Sequence, residues 1–377
     1  MKAARTIVNA ILCRAMDRLQ GASQEQIETA FRLVRLTARA LGLPGLTDVD
    51  SVFIVHLVTA VARGMLNTPY GHPLDFDCPL IVTLSVTAYC PFKCINCYSH
   101  SGEWGKDSES GGILESAVNE LASSQIPIVV ITGGEPLATP LTRPTVEALA
   151  GAGKLVLLST NASVEGHIDL IERYPLRFGF IFPIWGRRDR HNKLRGARSF
   201  ERIEKNLELL NSRGKSGDVL VVLSEADMGV FDDLEQLVQR FRISRLRVTR
   251  KTNVGRQGQS VLTPDSAFER DLRHRLRVLK PHVGTVLVDI PEFRRHPKKS
   301  ILEMTLGIAP YASCAAGNWM MHLDSNGAAY SCFTFEPSGR TYQVAPGLTL
   351  SRQWQQLKSN RKHLSNSEVC IGEHYSR

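Results

Sequence analysis

The chain has 377 residues, an apolar fraction of 43% that is ordinary for a globular protein, and a formal net charge of +9. That length holds two domains or one barrel with appendages, and the composition excludes a fibrous or low-complexity chain. No run is long and apolar enough to span a bilayer. The N-terminus, interrupted by Arg14, Asp17 and Arg18, lacks the order of a signal peptide, so the 8 cysteines point to a reducing cytoplasm.

Residues 1–66 read as helices. Ile7, Ala10, Ile11, Arg14 and Arg18 share helical spacing, as do Ile27, Phe31, Val34 and Leu41 and then the run from Val52 to Val61. Ser23 with Gln24-Glu25 marks a helix start and Pro44-Gly45 a stop. Cys13, alone on the first helix, reads as a buried small residue. The turn-rich Thr68-Pro69-Tyr70-Gly71-His72-Pro73 is a linker. Strand patterns then fall at 80–87, 126–132, 154–160, 176–184, 218–224 and 243–250. They alternate with helices near 112–124, 141–151, 164–173, 199–213, 231–241 and 264–280. Repeated β-then-α units imply parallel strands joined by right-handed crossovers. Sites in such folds gather at the C-terminal ends of the strands.

Cys90-Pro-Phe-Lys-Cys94-Ile-Asn-Cys97 follows the first strand and puts three cysteines within eight residues. Three thiolates hold three corners of a cubane iron–sulfur cluster and leave the fourth iron open to a small chelating molecule. The rival reading is a zinc knuckle. Closed zinc sites want four ligands, usually in Cys-x-x-Cys pairs, and no fourth ligand lies close by.

Thr132-Gly-Gly-Glu-Pro-Leu137 ends the second strand. Together with Cys-x3-Cys-x2-Cys it resembles the radical S-adenosylmethionine (radical SAM) superfamily over residues 78–260, and partly over 300–377. The resemblance implies an incomplete (β/α)6 TIM-type barrel over 78–290, with an N-terminal helical region and linker over 1–70. It implies a [4Fe–4S] cluster on Cys90, Cys94 and Cys97 whose open iron chelates SAM. Gly133, Gly134 and Glu135 would serve the SAM amino group, glycine letting backbone approach closely, and Ser159-Thr160-Asn161 would face SAM. His191-Asn-Lys-Leu-Arg195-Gly196 followed by Ser199-Phe200 is similar to a signature of peptide- and sulfatase-modifying members, which adds Arg195 to the cofactor site. Asn253-Val-Gly-Arg256 is similar to a Gly-Arg turn of the same enzymes. The aromatic usual between the second and third cysteines is Asn96 here; Tyr98 is the residue then available to cover adenine. Pro183-Ile-Trp-Gly186 also departs from the family, so substrate contacts there do not carry over. No residue is assigned as the catalytic acid or base.

Further along, Cys314, Gly327 and Cys332 fit Cys-x12-Gly-x4-Cys, which resembles the opening of a SPASM or twitch auxiliary-cluster domain over 300–377. Asp324-Ser-Asn-Gly327 is a hairpin turn between apolar strands Trp319–Leu323 and Ala328–Phe333. Cys370, after a helical Trp354–Leu364 stretch, supplies a third thiolate. His374, one helical turn beyond Cys370, is the candidate fourth ligand of a second [4Fe–4S] cluster.

Between Arg187 and Lys299 there are 26 Lys/Arg against 15 Asp/Glu, so the basic excess sits in the second half of the barrel. Solvated helix faces explain such an excess, and so does an anionic partner steered to Arg187, Arg188 and Arg190. The reading adopted is a radical SAM oxidoreductase that cleaves SAM to a 5′-deoxyadenosyl radical and abstracts a substrate hydrogen. Its expected substrate is a peptide, matured by a thioether or carbon–carbon crosslink, and its expected reductant a flavodoxin or ferredoxin. The alternatives are oxidation or rearrangement of a phosphorylated small molecule or nucleotide, and a non-catalytic metal scaffold. The charge leaves nucleic acid open as a partner.

Overall fold

The computed structural model describes residues 22–31, 57–62, 76–99, 101–102, 111–223, 228–251, 255–257, 265–289, 319–333, 343–344 and 346–361. Of the N-terminal block, residues 24–31 and 57–62 are helical. The first of these begins where Ser23 marked it. The Ser23 hydroxyl accepts from the Gln26 N–H (3.2 Å) while the Gln26 side chain accepts from the Ser23 N–H (2.8 Å), a reciprocal capping box. Cys13, Pro44-Gly45 and the linker's turn lie outside the described residues.

The centre is an open sheet whose first six strands match the expected ones. They are β1 (Ile81–Ser85), β2 (Ile128–Thr132), β3 (Leu155–Ser159), β4 (Phe178–Trp185), β5 (Gly217–Leu223) and β6 (Ile243–Arg250). Each pairs in parallel with the next. A seventh parallel strand, β7 (Val283–Asp289), extends the β6 edge and was not anticipated. The crossovers are α1 (Gly111–Ser123), α2 (Thr142–Gly151), the short α3 (Asp169–Arg173), α4 (Arg188–Arg195) with α5 (Ser199–Ser212), α6 (Val230–Arg240) and α7 (Ser266–Leu279). The strongly polar α4 carried no apolar period by which to read it. The expected 164–173 helix shrinks to α3 because Gly166 and His167 take left-handed backbone just before it.

Strand parity separates the two faces of the sheet. Val82 and Leu84 of β1, Val156 and Leu158 of β3, Phe178, Phe180 and Phe182 of β4 and Leu246 and Val248 of β6 share one core with Leu114, Leu121, Phe200, Leu207, Phe231 and Leu272 of the helices. The opposite face carries Thr83, Ser85, Thr132 and Ser159 among Val130, Leu157 and Ile181, so it is mixed in polarity.

The C-terminal hairpin forms as read, and it joins the same sheet. β8 (Met320–Leu323) pairs in parallel with β1, β9 (Ala329–Tyr330) returns antiparallel, and β10 (Gln343–Val344) adds to β9. Asp324 organises the turn by accepting from the Asn326 and Ala328 N–H groups, both at 2.9 Å. α8 (Leu350–Arg361) seals the hairpin: Trp354 is fully buried and donates to the Phe76 carbonyl at 2.8 Å.

Beyond their last ladder residues β1 and β2 stay zipped. The Val86 N–H donates to Thr132 O (3.1 Å), the Gly134 N–H to Thr87 O (2.8 Å) and the Glu135 N–H to Tyr89 O (2.8 Å). This closeness is what the two glycines permit. A Cβ on Gly133, whose φ is +124°, would stand 2.3 Å from Thr87 O, and one on Gly134 would stand 2.0 Å from Tyr89 O. Here glycine admits the neighbouring backbone of Thr87 and Tyr89. Since backbone cannot swing aside as a side chain can, Gly134→Ala is expected to cost about 1–3 kcal/mol. An unchanged urea midpoint in that variant would contradict the packing described.

Candidate cluster and cofactor site

The cysteine loop leaves the C-terminal end of β1 and is anchored on several sides. Cys90 and Cys94 are buried and Cys97 is partly so. The Asn161 amide, at the end of β3, reaches the Cys90 Sγ at 3.3 Å. The Cys94 Sγ lies 3.7 Å from the Arg195 carbonyl, and the Ile95 N–H donates to Leu194 O at 3.1 Å. α4, absent from the helices the sequence pattern predicts, is therefore the wall behind the second cysteine.

The strongest anchor comes from the turn after β6. The Arg256 N–H donates to Cys97 O (2.8 Å), its Nε to Cys94 O (3.0 Å) and its Nη2 to Ser101 O (2.8 Å). Gly255, with φ +66°, lets this turn press so close that a Cβ there would lie 2.1 Å from Tyr98 O. The Gly-Arg pair was visible in the sequence as a resemblance; its contact with residues more than 150 positions earlier was not.

Glu135 has no exposure to water. Its Oε1 accepts from the Thr160 hydroxyl (2.6 Å) and the Leu137 N–H (3.0 Å), and its Oε2 from the Asn161 N–H (2.8 Å). Burial pushes this carboxyl up, and those hydrogen bonds and the nearby Arg195 pull it back toward the charged form. Gly133, Gly134, Glu135, Thr160, Asn161 and Arg195 are thus brought together around the cysteine loop, and Ser159 is the last residue of β3 before them. Arg195 also donates to Pro183 O at 3.1 Å. Tyr98 bonds the Thr132 hydroxyl (3.0 Å) and meets Phe333 edge-on at 5.1 Å, so it joins the loop to the C-terminal hairpin. His191 is a structural pin: it is fully buried, its Nδ1 accepts from the Trp185 N–H at 3.1 Å, and burial holds it well below the ordinary imidazole range.

The residues present fit an iron–sulfur cluster. Burial pushes the Cys90 thiol up to about 12 and raises Cys94 as well, with smaller upward contributions from neighbouring cysteines. Such thiols are poor nucleophiles alone and become thiolates when metal charge compensates them. The Asn96 Nδ2, buried between Cys94 and Cys97, has no acceptor among the described residues, and a cluster's sulfurs are acceptors. No three His, Cys, Asp or Glu side chains among the described residues are arranged to share one metal ion. A cubane does not ask for that, since each thiolate binds a different iron. Of the expected second site only Cys332 is described, and it is buried beside Phe333; Cys314, Cys370 and His374 lie outside the described residues.

The basic excess is largely engaged with the chain itself. Arg188 bonds Glu204 (2.7 Å) and Glu201 (3.1 Å) and covers the Phe200 ring, while Arg240 shares Glu204 and Arg275 pairs with Asp232. Arg188 is therefore a brace between α4 and α5, contrary to the expectation that it receives a substrate anion. Arg187 packs its Cδ against the Gly229 backbone.

Residues 84–238 match the family model for the Radical SAM superfamily. The mycofactocin maturase MftC of Mycobacterium ulcerans (strain Agy99) is 28% identical over 288 residues, 73% of this chain and 73% of its own length. Streptococcus suis SuiB bound to precursor peptide SuiA aligns with TM-score 0.62 at 15% identity, covering 82% of this chain and 71% of that one. anSMEcpe with bound AdoMet aligns with TM-score 0.54 at 18% identity, over 75% and 82%. At such identities the two structures establish a shared fold.

Because Arg256 holds the cysteine loop through a planar fork, Arg256→Ala should lower iron per chain well below the roughly four of an intact cubane, and Arg256→Lys should restore little of it. Full iron content in Arg256→Ala, measured after anaerobic reconstitution, would remove this role.

Proposed function

We propose that this chain, whose residues 84–238 are a radical SAM domain, is a peptide-modifying radical SAM enzyme. The observation that carries the chemistry is the convergence of Cys90, Cys94 and Cys97 with the Glu135–Thr160–Asn161 set at one end of the sheet. The relative named a maturase and the fold neighbour bound to a precursor peptide support a peptide as substrate. A [4Fe–4S] cluster with S-adenosylmethionine supplies a carbon radical able to abstract a hydrogen atom from the substrate.

The chain's own residues do the holding and shielding. Cys90, Cys94 and Cys97 bind the cluster, and the Asn161 amide beside the Cys90 sulfur stabilises its thiolate. Arg195 stands close enough to Cys94 and Glu135 to act on both charges, and offers a guanidinium to the methionyl carboxylate. Gly133, Gly134 and Ser159 complete the strand ends around SAM, with Tyr98 on its adenine side. The apolar wall behind them keeps water from a reactive intermediate.

In this reading residues 300–377 form an auxiliary domain in which Cys314, Cys332 and Cys370 hold a second [4Fe–4S] cluster, its fourth iron ligated by His374 or left open. Held there by Cys314, Cys332 and Cys370, such a cluster would supply a one-electron acceptor for thioether or carbon–carbon crosslink formation. Among the described residues no helix is long and apolar enough to cross a membrane, and the free thiols suit a cytoplasmic protein.

With dithionite as reductant, wild-type protein should form 5′-deoxyadenosine, and Cys90→Ala, Cys94→Ala and Cys97→Ala should each abolish it, because two thiolates hold a cubane poorly. Activity retained in any of the three would end the proposal. Iron should approach about eight per chain and fall to about four in the Cys314→Ala/Cys332→Ala double variant. A wild-type ceiling of four would make those cysteines structural.

A further inference from the structure

The cysteine loop has two sides with different chemistry. One faces Glu135 and Asn161, where cofactor and substrate are expected. The other reaches the surface, where Ile95, held between Cys94 and Cys97, is 63% exposed. No other large apolar side chain among the described residues is as exposed.

Its surroundings are basic. Lys93 is exposed on the same loop, and Lys193 and Arg198 are exposed on α4 and just beyond it. The elements are pinned into one surface. The Ile95 N–H bonds Leu194 O, next to Lys193, and Gly196 lies against the Phe92 ring. Arg202 stands 5.6 Å over that same ring and donates to Ser163 O. Lys93, Lys193 and Arg198 pair with no carboxylate among the described residues. Asp189 lies one turn from Lys193, and Glu201 is engaged by Arg188 and Asn192. The arrangement is an apolar contact inside a cationic rim, with buried Cys94 directly behind it.

We infer that this face docks the electron donor: a small acidic protein that carries one electron at a time. The inference rests on the radical SAM reading, which requires an electron to reach the cluster from outside before SAM is cleaved. The donor is oxidised by one electron and the cluster reduced by one. Ile95 marks where the cysteine loop itself meets solvent, so a partner docked there needs no access to the Glu135–Asn161 set. The rim steers an acidic carrier, and Ile95 supplies the desolvated centre of the contact.

The test uses reconstituted full-length protein and an acidic bacterial flavodoxin as probe. Binding is followed by calorimetry, and SAM cleavage is driven separately by reduced flavodoxin and by dithionite. Lys193→Glu/Arg198→Glu should weaken flavodoxin binding by ~10-fold or more, and raising salt from about 50 to about 300 mM should do the same to wild type. Flavodoxin-driven cleavage should fall in step, while dithionite-driven cleavage stays at the wild-type rate. Ile95→Ser should weaken binding without altering its salt dependence. Flavodoxin affinity unmoved by the charge reversal, or insensitive to salt, overturns the inference. So does weakened binding of an acidic peptide in the double variant with flavodoxin binding intact. Should dithionite fail to drive cleavage in the wild type, the radical SAM reading fails, and the calorimetry still decides what binds this face.

Discussion

Glu135 is a carboxylate without access to water whose two oxygens are held by the Thr160 hydroxyl, the Leu137 N–H and the Asn161 N–H. A carboxylate in that position is tolerable only while those donors stay in place. Each donor would in turn cost about 1–3 kcal/mol if left buried and unpaired. The carboxylate therefore locks the end of β2 to the end of β3. The same β2 turn is locked to the end of β1 by the backbone zipper running from Val86 to Glu135. Three strand ends are fixed relative to one another before any side chain meets a ligand. The cysteine loop inherits that rigidity through Asn161 on Cys90.

The rest of the site is assembled on this frame from distant parts of the chain. α4 backs Cys94, and the Gly255-Arg256 turn closes over the loop from the far side of the sheet. Burial that makes the free thiols reluctant to ionise also makes them good hosts for a charged metal group, because water does not compete for the thiolates. Tyr98 carries the connection on to Phe333 and so to the C-terminal hairpin, which pairs directly with β1. The hairpin turn after Leu323 and the cysteine loop after Ser85 thus leave the same end of the parallel β1–β8 ladder, in which Leu84 pairs with Leu323.

Much of this was legible in the sequence where a local rule applied. Strands β1 to β6 carried apolar runs bounded by turn residues, and the Asp324–Gly327 turn and the Ser23 cap were read from single short motifs. α4 was missed because a helix made almost wholly of polar residues has no apolar period; its place is fixed by His191 under Trp185 and by Arg188 on Glu201 and Glu204. β7 was missed although Val283-Gly-Thr-Val-Leu-Val carries a strand's composition. The glycines of Gly133-Gly134 were legible as required, but their close approach to the backbone of Thr87 and Tyr89 was not. The basic excess was counted correctly, but counting does not reveal which arginines already face carboxylates. Long-range pairing of that kind is a property of the fold.

The proposed chemistry requires that Cys90, Cys94 and Cys97 hold a cluster with one open iron that S-adenosylmethionine would chelate directly. Electron paramagnetic resonance of the reduced, reconstituted protein with isotopically labelled S-adenosylmethionine tests this most directly. The account predicts that the cofactor shifts the cluster signal, and that labels on the methionyl amino nitrogen and carboxylate oxygen show hyperfine coupling to it. A reduced cluster whose signal is indifferent to saturating S-adenosylmethionine, with no coupling to either label, would contradict it.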